Sequence, residues 1–266
     1  MIREITLGQY YQTDSFLHRL DPRVKIIGTL LFIIELFIVD SFTGFAICAG
    51  ALALCVGLSR VPLSFILRGM RPILLILLFT FCLNMFMIDG KVLWQMGFLR
   101  ITDTGLFTAL FMAIRLILLI IGASLLTLTT TPIRLTDGIE RLLSPLELLG
   151  VHTHEIAMMM SIALRFIPTL MEETDKIIKA QQARGADFES GNIFARAKAL
   201  VPILVPLFVS AFRIAQDLAM AMEARCYRGG KGRTRLHAMR FESRDYICMV
   251  ILIIFLAAVI GMRIWW

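Results

Sequence analysis

Charge is scarce in this chain: only 18% of its 266 residues are Asp, Glu, Lys or Arg, against about 25% in an ordinary soluble domain. With 58% hydrophobic residues and a mean hydropathy of +0.79, that shortfall excludes a conventional water-soluble core. No cleavable leader is expected either, because residues 1–23 carry no apolar stretch ahead of their charges. The five cysteines, at 48, 55, 82, 226 and 248, form no CxxC, and four of them sit in apolar runs. They read as reduced packing residues, not a disulfide framework or a zinc site. No GxxxxGK[ST] occurs; Gly229-Gly230-Lys231-Gly232 lacks both the spacing and the Ser/Thr needed to cradle phosphates. No bound cofactor is expected. His152 and His154 have no nearby Cys or third His, so no metal site is expected either.

What is abundant is long apolar runs. Segments of about 24–39, 42–58, 72–88, 105–128 and 245–264 approach the roughly 17–25 residues a membrane helix needs. Asp40 and Ser41 alone separate the first two, which predicts a tight helical hairpin. The organisation expected is a membrane domain over 1–128, a charged region over 129–244 and a final membrane helix over 245–266. The Lys/Arg bias orients it. Loop 59–71 holds Arg60, Arg68 and Arg71 and no acid, whereas Lys91 and Arg100 in loop 89–104 are balanced by Asp89 and Asp103. The N-terminus and residues 128–244, with 16 Lys/Arg against 12 Asp/Glu, are then cytoplasmic, and the C-terminus lies outside the cell membrane.

Two ionisable residues fall inside spans. Glu35 lies about 16 Å from the inner start of its helix and Arg115 about 15 Å from the outer start of its own, at ~1.5 Å rise per residue. A charge in a span is costly, and similar depth suggests a Glu35–Arg115 ion pair, read as a structural contact in preference to a proton or substrate site, since a lone pair makes a poor relay.

The charged region is the most specific part. Residues 155–182 place Ile156, Met159, Met160, Ala163, Phe166, Ile167, Leu170, Ile177 and Ile178 at helical spacing. Glu172, Glu173, Lys176 and Lys179 interrupt the run and give its second half a polar side, and Pro168 is a place for a bend. A second helix over about 196–226 has a core, ALVPILVPLFVSAF, that reads as too short to span. Both helices finish on A-x-[QE]-A-R: Ala180-Gln181-Gln182-Ala183-Arg184, then Gly185, and Ala221-Met222-Glu223-Ala224-Arg225, then Cys226. The offset is 41 residues, from 184 to 225. An Arg suits the negative end of a helix, the small Ala admits a close-approaching surface, and a guanidinium fork binds carboxylates or carbonyls at two points. Two such tips suit two docking partners, or a dimeric one. The basic run Arg228, Lys231, Arg233 and Arg235 reads as a contact to anionic lipid, with nucleic acid the less favoured partner.

At these residues the chain resembles the transmembrane T component of energy-coupling factor (ECF) transporters, the membrane scaffold of a class of prokaryotic ABC importers. The match runs through Leu20-Asp21-Pro22-Arg23-Val24-Lys25, Ala183-Arg184-Gly185 and Ala224-Arg225-Cys226-Tyr227-Arg228-Gly229-Gly230. The resemblance implies an all-α polytopic membrane protein of about five transmembrane helices with two long amphipathic cytoplasmic coupling helices. It also implies a non-catalytic role: Ala183, Arg184, Gly185 and Ala224, Arg225, Cys226 would dock on two ABC-type ATPase subunits, which bind the ATP. Motion would pass to a separate substrate-binding membrane subunit, one of several exchangeable ones, with vitamins as common cargo. The chain departs from the family at Cys226, where Gly is usual; Cys resists positive φ, so the second tip is expected to end differently from the first. Two other readings compete. A secondary transporter would use Glu35 and Arg115. A membrane enzyme would use Glu172, Glu173 and the histidines, but Thr174–Ile178 supply no Arg or His beside the two carboxylates.

Overall fold

A computed structural model describes residues 10–96, 99–150, 152–186, 188, 192–229, 239 and 241–265. Among the described residues the fold is all-α apart from one short hairpin. Its elements are α1 (Phe16–Arg19), α2 (Pro22–Ile38), α3 (Phe42–Ser59), α4 (Leu63–Met87), β1 (Val92–Met96), β2 (Leu99–Thr102), α5 (Asp103–Thr129) and α6 (Pro132–Leu143). A 3-10 turn (Ser144–Leu149) leads to α7 (Thr153–Ala183), α8 (Ile193–Ala224) and α9 (Ser243–Trp265). The chain divides into two compact units, one of residues 10–141 with 239–265 and one of residues 142–229.

Local chemistry sets the helix starts in the first unit. Asp21 caps α2 by accepting from Arg23 N at 2.9 Å, with Pro22 at the position where its missing N–H costs nothing. Ser41 caps α3 through Gly44 N at 3.2 Å. Thr102 serves two helices: its hydroxyl donates to Ile88 O at 2.7 Å, beyond the end of α4, and accepts from Gly105 N at 3.0 Å in the first turn of α5.

By length and composition α3, α5 and α9 can each cross a membrane, and α4 can as a bent pair of segments. α2, with 17 residues, reaches about 25 Å at ~1.5 Å per residue. Two expectations change. Loop 59–71 is mostly helix: α4 begins at Leu63 and bends by 60° between Met70 and Ile73, where Pro72 offers no backbone donor. Loop 89–104 contains the antiparallel hairpin, with Gln95 opposite Arg100 and Met96 opposite Leu99.

Leu36 of α2, Phe45, Cys48 and Leu52 of α3, Leu118 of α5 and Val259 of α9 form the packed centre. Outside it the apolar residues stay exposed: Leu75 and Met87 of α4 at 74% each, and Ile254 of α9 at 62%. Such a surface suits hydrocarbon, where association rests on close packing because lipid is as apolar as leucine. The five cysteines are all free.

The second unit is built on α7 and α8, of 31 and 32 residues. Both are continuous through internal prolines, Pro168 in α7 and Pro202 and Pro206 in α8. Lys198–Ala224 is long and apolar enough to cross a membrane by composition. This corrects the short-core reading: the helix continues past Arg213 and Asp217, adding apolar length beyond the uncharged run.

Candidate functional site

α7 and α8 lie antiparallel. Gln181 Nε2 donates to Pro202 O at 3.4 Å, Ser210 Oγ to Glu173 Oε1 at 3.4 Å, and Tyr227 OH to Met158 Sδ at 3.1 Å. One of these bonds has a clear cause. Pro206 has no N–H to give the carbonyl four residues back, which is that of Pro202, and the Gln181 amide takes the vacated place. Glu173 belongs to the helix-pair contact through Ser210, and it also meets Lys176 of its own helix at 3.5 Å.

This register places the tips at opposite ends of the pair. It sets Met171 opposite Phe212, thirteen residues before Arg184 and before Arg225 respectively. At ~1.5 Å per residue each tip stands about 20 Å from that midpoint, and the two are about 40 Å apart. The 41-residue sequence repeat thus coincides with an approximate two-fold axis through the helix pair.

The tips close identically. At the first, Gly185 N donates to Gln182 O at 2.9 Å and Ala186 N to Gln181 O at 3.0 Å, with Gly185 at φ 87°. At the second, Cys226 N donates to Glu223 O at 2.8 Å and Tyr227 N to Met222 O at 3.0 Å, with Cys226 at φ 56°. Both are Schellman closures with a left-handed residue after the cap. The expectation that Cys226 ends its helix differently is therefore corrected: the two backward hydrogen bonds hold it in the left-handed region despite its Cβ. Arg184 and Arg225 occupy the same cap position, at φ −87° and −90°. Ala183, Arg184, Gly185, Ala224, Arg225 and Cys226 are all exposed. Among the described residues neither guanidinium has an ion-pair or hydrogen-bond partner. Arg228 is exposed; Gly230, Lys231, Arg233 and Arg235 lie outside the described residues.

Glu35 and Arg115 are not brought together. Arg115 Nη2 donates to Val39 O at 3.0 Å and to Asp40 Oδ1 at 3.2 Å. Glu35 is 1% exposed, and its Oε1 has no hydrogen-bond partner among the described residues. The reason is register. α2 and α5 run antiparallel, with Lys25 against Thr129 and Val39 against Arg115, so Glu35 falls one turn short of the guanidinium. Depth counted from each helix's own start missed that offset. Sequence reasoning also missed Asp40, which meets Arg263 of α9 at 3.5 Å as well, and Lys25, whose Nζ donates to Thr129 O at 2.9 Å and Thr130 Oγ1 at 3.3 Å. A visible signal for both was a lone charge beside a helix end.

Outside the spans, His18 is 6% exposed and bonds Ser15 Oγ at 2.7 Å and Tyr11 O at 3.0 Å. Burial pushes its pKa below the ordinary value, partly offset by the bond to the Tyr11 carbonyl. Among the described residues no group of three or more His, Cys, Asp or Glu is placed to hold a metal ion.

A family model described as CbiQ, cobalt transport protein, matches residues 13–236. The chain is 55% identical over 268 residues to the energy-coupling factor transporter transmembrane protein EcfT of Clostridium kluyveri, covering 100% of this chain and 99% of that one. It is 58% identical over 249 residues to the protein of that name from Thermosediminibacter oceani, with 94% of each covered. With the protein so named from Bacillus subtilis, identity is 48% over 264 residues, 99% of this chain and 100% of the relative. A membrane-spanning helical unit, a tip-bearing helix pair and end-to-end similarity agree: the chain belongs to the family of transmembrane components of energy-coupling factor transporters.

Proposed function

We propose that the chain is the non-catalytic coupling subunit of an ATP-driven importer. Two ABC-type ATPase subunits bind the ATP and receive Arg184 and Arg225 in grooves on their surfaces. α7 and α8 carry the ATP-driven movement to a small substrate-binding membrane subunit, one of several exchangeable ones, for uptake of vitamins or other micronutrients. The N-terminus and the tips are cytoplasmic and the C-terminus is outside, in keeping with the acid-free cluster of Arg60, Arg68 and Arg71. The basic residues after the second tip contact anionic lipid.

The observation that carries this reading is the pair of like tips. Two exposed guanidiniums, unpaired among the described residues, project from identical helix closures at opposite ends of an antiparallel pair. A partner that is itself a two-fold pair of like subunits offers two like grooves related by the same symmetry. The relatives' name, energy-coupling factor transporter transmembrane protein, supports an assembly with further subunits.

The test is gentle detergent purification of the tagged chain with identification of co-purifying subunits. The wild type should retain ATPases and a small membrane subunit. Arg184→Ala with Arg225→Ala should reduce bound ATPase at least tenfold with an unchanged melting temperature. Wild-type ATPase association and uptake in that double variant would overturn the reading.

A further inference from the structure

The Leu20-Asp21-Pro22-Arg23 segment takes no part in the tips, yet three consecutive residues of it meet both stretches of chain that lead to and from the tip-bearing unit. On the outgoing side is α6. Gly138 lies so close to α2 that a Cβ there would stand 2.9 Å from Pro22 Cβ and 3.2 Å from Ile26 Cδ1. α6 ends at Leu143, where the tip-bearing unit has begun. On the returning side is Met239, ten residues past Gly229 of the second tip. Arg23 Nη2 donates to Met239 O at 3.4 Å, and the Arg23 guanidinium lies 4.6 Å from the Phe241 ring centroid. Asp245, at the start of α9, uses both oxygens: Oδ1 accepts from Asp21 N and Oδ2 from Glu242 N, each at 2.9 Å. Asp245 is 2% exposed and Asp21 7%.

We propose that Asp21, Pro22 and Arg23 form the joint through which displacement of the tip-bearing helices reaches membrane helix α2, acting as positioning residues for coupling. This rests on the docking reading above. The joint is stiff for stated reasons. Asp21 and Pro22 are the cap and first residue of α2, so there is no slack between the gripped residues and the helix. A buried carboxylate that lost its backbone donors would be left desolvated and unpaired, which resists slippage at Asp245. Gly138 admits no side chain, so α6 bears on Pro22 with nothing interposed.

The experiment uses the complete complex purified through this chain, with hydrogen–deuterium exchange of the amides of residues 23–30 measured with and without ATP and vanadate. In the wild type ATP changes that exchange. In Arg23→Ala and Gly138→Leu the ATPases stay bound and hydrolyse at no less than half the wild-type rate, while the ATP-dependent change falls at least threefold. Arg23→Lys, which keeps one donor and a cation over Phe241, restores most of it. An ATP-dependent change of wild-type size in both variants, or none in the wild type, would overturn the inference. Should either variant fail to assemble, Asp245→Asn, which keeps one acceptor, is judged by the same criteria. Loss of ATPases from the wild-type complex would instead sink the docking reading, and this inference with it.

Discussion

Arg115 of α5 donates to the carbonyl of Val39 at 3.0 Å and so closes the C-terminal end of α2. Lys25 of α2 does the reverse for α5 through Thr129 O at 2.9 Å. Both intervals are 14 residues, from 25 to 39 and from 115 to 129. Two antiparallel helices thus each lend a cation to the other's negative end, where carbonyls lack internal partners. Arg115 also packs between two rings, 5.7 Å from that of Phe37 and 5.6 Å from that of Phe45.

Arg115→Ala should therefore destabilise the membrane unit by about 1.5–3 kcal/mol, the range for hydrogen bonds to charged groups. Asp40→Ala should cost less than about 1 kcal/mol, because its side chain is 65% exposed and exposed pairs contribute little. Thermal unfolding in detergent compares the two. A larger loss for Asp40→Ala would mean that the ion pair, not the carbonyl cap, holds this end.

Substitutions after the two tips should act in opposite directions. Cys226 sits at φ 56° and Gly185 at φ 87°, and no atom lies within 4 Å of the place a Cβ at 185 would take. A left-handed side chain costs about 1–2 kcal/mol, offset by about 0.5–1 kcal/mol of lost glycine freedom in the unfolded chain. Cys226→Gly should then stabilise by about 0.5–1 kcal/mol and Gly185→Ala destabilise by about as much. Denaturation midpoints of the two variants decide it; a destabilising Cys226→Gly would give the thiol a role of its own.

Acid should weaken the fold through His18. Its folded-state pKa is lowered by burial, so the folded protein binds fewer protons than the unfolded chain just below the ordinary histidine value. Stability is then full above about pH 6.5 and declines as the pH falls through the folded-state pKa. Melting temperatures from about pH 7.5 to about pH 5 should drop in the wild type and drop less in His18→Gln. Equal slopes would remove His18 from the account.

The Gln181 amide and the Pro206 ring should prove coupled. Gln181→Ala strips the Pro202 carbonyl of its donor and should cost about 0.5–1 kcal/mol. Pro206→Ala restores a backbone N–H to that carbonyl, so Gln181→Ala should cost almost nothing in that background. A double-mutant cycle with no coupling energy would show the bond to be incidental.

Much of this arrangement is legible in the order of residues alone. Apolar runs mark α3, α5 and α9 to within a few residues, because a bilayer demands uninterrupted hydrophobic length. The repeated A-x-[QE]-A-R locates both helix ends, because a cation is favoured where the last carbonyls of a helix lack internal partners. The β-hairpin after α4 escapes notice, since its strands are too short for a periodic signal, and so does the start of α4 within an Arg-rich stretch.

By itself the sequence determined that α3, α5 and α9 are long apolar runs and that two further helices finish on the same A-x-[QE]-A-R pattern at Arg184 and Arg225. Both follow from local properties, hydrophobic length and the chemistry of a helix terminus. Register was decided only by tertiary structure: it pairs Arg115 with Val39 and Asp40 in place of Glu35, sets the two tips at opposite ends of one antiparallel pair, and bends Cys226 into a glycine's conformation. Each of these depends on how one helix lies against another or on hydrogen bonds closing back over a cap, and no spacing within a single segment encodes that.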